Sequence, residues 1–287
     1  MKFRGLFLGL TTIDIQYFVS SHPLPNRKIK SSPPKILIGG PATNAAVAFA
    51  HLNNGAFLAS ATGNNSFNEY FKQDFLATKI RHFDLVETQN INPVIASVIT
   101  NEQNGDRNIF THIPDLIKPA ITPEKLFELI KPEIVFTDGF YPEFNLDFVK
   151  LASSKKIPVV LDCGSWKSQY ELLLNYSNYV ICSEDFLPPD CLDSNEVFSF
   201  LKDKKIDKIA ISRGEKNILY MEGQNKGDVK IQKTDVKDTL GAGDFLHGAF
   251  CFYLLNTNNF KKALKQAADL ATFSCTFKGT REWLKSI

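Results

Sequence analysis

The sequence predicts an α/β fold with a mostly parallel central sheet between helices and a small antiparallel β flap over one end. Three observations lead there. Short apolar runs alternate with segments of helical periodicity, the pattern of strands joined by crossover helices. Several of the runs end in Gly, Ser, Asp or Thr, polar termini suited to strands that deliver side chains to a site. Two further stretches break the alternation, one rich in proline and one with a hairpin signal.

In chain order, the strands are expected at 5–9, 57–61, 134–137, 159–162, 179–183 and 208–212. Helices are expected at 44–52, 67–78, 123–130, 144–153, 197–203, 244–255 and 260–273. The flap comprises 15–38, polar and proline-rich before an apolar end, and 93–113, where VIASVIT and RNIFTHI flank a turn at Asn104-Gly105. Such a flap closes a site, makes a dimer contact, or is an ordinary surface insertion. The 287 residues, without a repeat or low-complexity linker, suit a single domain spanning 1–287.

Composition narrows the function. Thirty-three basic against 31 acidic residues leave a formal charge of +2, with no basic footprint for nucleic acid or a membrane surface. Cys163, Cys182, Cys191, Cys251 and Cys275 are odd in number and contain no C-x-x-C pair. That excludes a disulfide framework or zinc knuckle as the expectation and favours a reducing compartment, the cytoplasm. No run near Met1 reaches the length of a membrane span.

The chemistry concentrates in KDTLGAGDFLHGAF. Gly241, Ala242 and Gly243 open a helix whose apolar residues follow at Phe245, Leu246, Ala249 and Phe250. Small residues at a helix start let backbone amides and the dipole meet an anion, especially a phosphate. Asp244 would repel that anion, unless its carboxylate takes a proton from a hydroxyl attacking phosphorus. The alternative is a turn with Asp244 as helix cap. Neither G-x-x-x-x-G-K-[ST] nor a G-x-G-x-x-G after the first strand occurs, so Walker-type and dinucleotide readings lose their support. A second glycine pair, Gly39-Gly40, precedes Asn44 at the start of an alanine-rich helix, where Asn44 either binds hydroxyls or caps. Asp14, after the first strand, either accepts from vicinal sugar hydroxyls or serves a turn.

GGPATNAAVAFAHLN and DTLGAGDFLHG, about 200 residues apart with Asp14 before them, together resemble the two signatures of the ribokinase-like carbohydrate kinases of the PfkB type. The resemblance covers essentially the whole chain. It implies a three-layer α/β/α fold with a small β lid, formed here by about 15–38 and 93–113, and transfer of the γ-phosphate of ATP to a hydroxyl of a sugar or sugar-like molecule. Asp244 would be the base, and the amides of Gly241, Ala242 and Gly243 the anion hole. Asp14, Gly39, Gly40 and Asn44 would hold the sugar, with Arg107 of the lid facing the acceptor or simply solvated. Ser183, Ser212, Gly214 and Gly279 would face the nucleotide. Mg²⁺ is implied as cofactor, with Glu184 reaching it through water, and K⁺ at Asp238. A homodimer through the lid is implied as well.

The chain departs from the family pattern in two places. An N-x-x-E run is replaced by Ser183-Glu184-Asp185-Phe186, losing the glutamate. The nucleotide loop T-x-G-x-x-G becomes Ser212 to Asn217, where Asn217 would have to adopt the left-handed backbone of a glycine. The SED run and Cys275-x-x-x-Gly279 bring the chain nearer the ketohexokinase-like branch. A nucleoside kinase of the same fold and a non-catalytic sugar or nucleotide sensor are the alternatives. His247, one turn beyond Asp244, reads as a packing or hydrogen-bonding histidine rather than the base.

Overall fold

The computed structural model describes residues 1–103, 105–113 and 117–286, so Asn104 of the expected turn lies outside the described residues. The strands are β1 (Gly5–Leu8), β2 (Thr12–Val19), β3 (Lys35–Gly39), β4 (Ala56–Ser60), β5 (Ile80–Asp84), β6 (Val94–Asn101), β7 (Arg107–Thr111), β8 (Ile134–Thr137), β9 (Val159–Cys163), β10 (Tyr179–Ser183), β11 (Lys208–Arg213), β12 (Lys216–Glu222) and β13 (Asn225–Val229). The helices are α1 (Pro41–Asn53), α2 (Asn68–Ala77), α3 (Pro123–Ile130), α4 (Pro142–Ser154), α5 (Tyr170–Leu174), α6 (Ser194–Asp203), α7 (Ala242–Thr257) and α8 (Phe260–Ser274).

Among the described residues, nine strands form the main sheet in the order β13-β12-β11-β10-β9-β8-β1-β4-β5. It is parallel from β5 to β11, while β12 and β13 pair antiparallel at one edge. Both faces are covered, so alternate residues of β1 enter different cores: Phe7 packs beneath α1, α7 and α8, whereas Leu6 and Leu8 face the side of α3, α4 and α6. This is the expected three-layer arrangement. The order in which strands are added switches sides between β1 and β8, which pair in parallel, and such a switch point is where α/β sheets place ligands.

The second sheet runs β3-β2-β6-β7. It differs from a simple antiparallel flap because β2 and β6 pair in parallel and join two antiparallel pairs. β2 begins at Thr12, so Asp14 belongs to this sheet and not to the end of β1. Strands β5, β12 and β13 and helix α5 were not expected. β5 and β13 are edge strands whose sequences, IRHFD and NKGDV, carry little of the apolar run that marks a buried strand. Several helices begin earlier than periodicity indicates because their first turns are set by other chemistry. Pro41 and Pro142 occupy the first turns of α1 and α4, and Asp193 caps α6 by accepting from the amides of Asn195 (2.8 Å) and Glu196 (3.0 Å). Among the described residues no helix is long and apolar enough to cross a membrane.

Two helices decide where the site forms. The alanine-rich face of α1 packs on α7 at Gly248, where a Cβ would lie 1.9 Å from the backbone oxygen of Ala45. Backbone cannot yield as a flexible side chain does, so only glycine permits this approach. Gly248→Ala is therefore expected to lower unfolding stability by about 1–3 kcal/mol in urea denaturation, the usual size of an overpacking penalty. A change below about 0.5 kcal/mol would mean that the helices separate freely.

Candidate active site

A cleft of about 510 Å³ opens between the flap sheet and the ends of β8, β9, β10 and β11. Asp14, Gly40, Asn44, Arg107, Ser183, Ser212, Gly241, Gly243 and Asp244 all line it. Thus residues expected from the two glycine motifs, about 200 positions apart, share one cavity. Gly39, Gly214, Asp238, Gly279 and Glu184 are not among its lining residues.

Asp244 is the third residue of α7, whose N-cap is Gly241 in a left-handed conformation (φ 78°), so its carboxylate does not cap the helix. It turns instead across to α1, where Asn44 Nδ2 donates to Asp244 Oδ2 at 2.9 Å. Asn44 likewise lies one turn inside α1 and makes no cap bond; it is 2 % exposed. Desolvation pushes the Asp244 carboxyl up to about 7, and Asp162 adds to that rise. The Asn44 hydrogen bond, His247 and Arg107 oppose it. Such a value suits a group that must be ionised near neutrality and still accept a proton.

The three amides expected to meet an anion are not equivalent. Ala242 N donates to Thr239 O at 3.2 Å, so that donor is already engaged. Among the described residues no protein acceptor meets the amides of Gly241 and Gly243. His247 anchors the same turn, with Nδ1 2.7 Å from Gly243 O and Nε2 3.1 Å from Ile181 O. A neutral imidazole donates to only one of these carbonyls, and Nε2 also lies 3.5 Å from Asp162 Oδ1.

In the same cleft, Asp14 is 5 % exposed and accepts from Thr12 Oγ1 at 2.6 Å. Burial raises its pKa, against the Thr12 bond and the charge of Arg281. Gly39 makes room for it, since a Cβ there would fall 2.0 Å from Asp14 Oδ2. Arg107 of β7 reaches the GAG loop, where Nη1 donates to Thr239 Oγ1 at 2.5 Å, and so joins flap to loop.

The remaining expected residues sit as follows. Ser212 Oγ donates to Cys182 O at 3.2 Å, and Ser183 Oγ contacts Asp185 Oδ2 at 3.4 Å. Gly214 has φ 60° and open space around it, whereas Asn217 lies within β12 and is not among the positive-φ residues. Its role is different from the expected glycine mimic: its side chain donates to Asp228 Oδ2 at 2.8 Å and ties β12 to β13. Phe186, at the missing glutamate's position, is fully buried against Trp166 and Tyr170. Glu184 pairs with Lys216 at 3.3 Å on the surface. Asp238 is 3 % exposed, and its carboxylate accepts from Gln16 Nε2 (2.8 Å), Gly279 N (2.8 Å) and Leu240 N (3.0 Å).

Four site residues escaped the sequence reading or were left without a role. Asp138 is buried and accepts from the amides of Leu10 (2.8 Å), Ala42 (3.1 Å) and Phe140 (3.0 Å), which pins the start of α1 to the end of β8. Desolvation still raises its carboxyl to about 6. Asp162 and Lys167 line the cleft, with Lys167 Nζ 3.8 Å from the centre of the Phe140 ring. Arg281, behind the cleft wall, donates to Asn44 Oδ1 at 3.0 Å. The polar end of β9 was a legible signal for Asp162; Asp138 and Arg281 have none, because the contacts that tie them to the site span 96 to 243 residues of sequence.

Comparison with known proteins gives the family. The model of the pfkB family carbohydrate kinases matches residues 5–286. The chain is 25 % identical to the deoxyribokinase of Salmonella typhi over 308 residues, covering 98 % of this chain and 95 % of that protein. It is 25 % identical over 289 residues to the nucleoside kinase of Methanocaldococcus jannaschii, covering 95 % and 90 %. Among solved structures, Arabidopsis thaliana ribokinase complexed with ribose and ATP superposes with a TM-score of 0.79 at 18 % identity, covering 99 % of this chain and 98 % of that one. With a family model spanning almost all of its length and both glycine motifs in one cleft, the chain belongs to the pfkB family of carbohydrate kinases.

Proposed function

We propose that this kinase moves the γ-phosphate of ATP to a hydroxyl of a sugar or sugar-like small molecule, with Asp244 as the base. The observation that carries the reading is the Asp244 carboxylate on the cleft wall, held by Asn44 beside the unengaged amides of Gly241 and Gly243. Asp14 and Asn44 orient the acceptor so that its hydroxyl meets Asp244. Asp244 takes the proton as oxygen attacks phosphorus, and the two glycine amides with the α7 dipole stabilise the charge on the transferring group. Arg107, bonded to Thr239, closes the flap over that group and excludes water.

Mg²⁺ would be held mainly by nucleotide phosphates and its own waters, and would supply charge neutralisation at the phosphoryl oxygens. The site fits that mode: no group of three His, Cys, Asp or Glu among the described residues would hold a metal by itself. A monovalent cation fits beside Asp238, where Gln16 Oε1 is a buried acceptor without a partner. Turnover is expected to fall when potassium is exchanged for tetramethylammonium; equal rates in both salts would remove the cation from this reading.

ATP consumption over a panel of pentoses, ketoses, sugar phosphates and nucleosides tests the activity and its acceptor class. Turnover with a sugar supports the reading, turnover with nucleosides alone selects a nucleoside kinase, and binding without turnover indicates a sensor. Asp244→Asn is expected to keep ligand binding and lose on the order of 10² or more in kcat. Near-normal turnover would remove Asp244 as base.

The same variant reports on burial. A carboxyl whose folded pKa exceeds its unfolded value stabilises the fold below the unfolded value, and that contribution is lost as pH rises through the folded one. For Asp244 the window runs from 3.8 to about 7. Asp244→Asn is therefore expected to melt a few degrees above the parent at pH 8, with the gap closing towards pH 4. A lower melting temperature at pH 8 would contradict the burial argument.

A further inference from the structure

Arg281 follows α8 and does not line the cleft, yet it is bonded on every side. Its Nε and Nη2 fork the carboxylate of Asp74 in α2 at 2.9 and 3.0 Å, a bidentate pair with both side chains largely buried. Nη2 also donates to Ile38 O at 2.7 Å, just before the Gly39-Gly40 turn, and Nη1 to Thr280 O at 3.3 Å. The remaining bond runs from Nη1 to Asn44 Oδ1 at 3.0 Å. Asn44 then presents Nδ2 to Asp244.

The chemistry of these groups allows one orientation. A guanidinium only donates and an ionised carboxylate only accepts, so an amide between them must turn its oxygen to Arg281 and its NH₂ to Asp244. Without Arg281, the Asn44 amide is free to turn over and accept from a protonated Asp244. That bond would then stabilise the neutral acid, whereas the present Asn44 bond stabilises the carboxylate.

We propose that Arg281 is a positioning residue, locked by Asp74, which fixes the Asn44 amide as a donor and through it keeps Asp244 ionised and aimed into the cleft. The relay Asp74–Arg281–Asn44–Asp244 connects α2, the segment after α8, α1 and α7. Other charges also face Asp244: Asp162 from β9, His247 from its own helix and Arg107 from the flap. They are untouched by a change at 281. This inference rests on Asp244 being the base, so its test includes a readout independent of turnover.

The full chain, labelled with ¹³C at aspartate side-chain carboxyls, is titrated by NMR, with the Asp244 signal assigned by its loss in Asp244→Asn. In Arg281→Met the midpoint of Asp244 is expected to rise by about one pH unit. Asn44→Leu should give a similar rise, and the double variant no more than either alone, because both remove one interaction. Asp74→Asn, which unlocks Arg281 yet leaves it able to reach Asn44, should raise the midpoint by less than Arg281→Met does, and a larger rise would overturn the relay. An unmoved midpoint in Arg281→Met, or additive rises in the double variant, would overturn the proposal. Should Arg281→Met fail to fold because Asp74 is left unpaired, Arg281→Met/Asp74→Leu removes both charges and is read in the same way. In the ATP assay, kcat of the 281 variant should fall on the order of 10- to 100-fold, its acid limb moving with the titration. An inactive parent would sink the kinase reading, whereas an active parent with an unmoved midpoint would sink only the relay.

Discussion

The site depends on how closely α1 approaches α7. With no side chain at Gly248, the Ala45 carbonyl fits against the helix, and the starts of the two helices come within hydrogen-bonding range. Asn44, next to Ala45, and Asp244, one turn before Gly248, are thereby joined at 2.9 Å. The small residues of α1, Ala42, Ala45, Ala46 and Ala48, are all fully buried and serve the same approach. Packing and chemistry are one constraint here, because any bulk that spread the helices would also break the bond that holds the base.

Around that contact the fold buries acids and partly compensates them. Asp138 receives three amides and Asp244 one side-chain amide, yet desolvation outweighs those bonds and both carboxyls remain raised. At Asp138 the result is structural, since it pins α1 to the sheet. At Asp244 it is useful, because a carboxylate short of partners is a better proton acceptor than a well-solvated one. His247 separates the roles further: its ring lies between the backbone carbonyls of Gly243 and Ile181, with Nε2 also 3.5 Å from Asp162 Oδ1, and braces the first turn of α7, leaving Asp244 to face the cleft.

Much of this was legible in the sequence. The alternation of apolar runs and helical periods located every strand of the sheet's centre, while the two glycine motifs named Gly40, Asn44 and Asp244 and the end of the first apolar run named Asp14, and these four do meet in one cavity. What escaped has physical causes. Edge strands β5 and β13 bury too little to show an apolar run, and the parallel pairing of β2 with β6 depends on a register that no local signal encodes. Asn217 resembled a glycine substitute in a loop pattern, but it belongs to β12, whose backbone ladder with β13 runs from Ile218–Val229 to Glu222–Asn225, and its own side chain adds the bond to Asp228. Arg281 and Asp138 act through partners far away in the chain, and a single arginine or aspartate carries no spacing by which to find them. The engaged amide of Ala242 is a matter of loop geometry, invisible in the letters Gly-Ala-Gly.

The central claim is that an acid wedged between two closely packed helices meets the acceptor's hydroxyl. A crystal structure of the chain with a turned-over sugar acceptor and a non-hydrolysable ATP analogue tests it directly. The account requires the acceptor hydroxyl about 3 Å from the Asp244 carboxylate, with Asn44 still bonded to that carboxylate and the terminal phosphate at the Gly241 and Gly243 amides. An acceptor hydroxyl beyond hydrogen-bonding reach of Asp244, with another base beside it, would contradict the account.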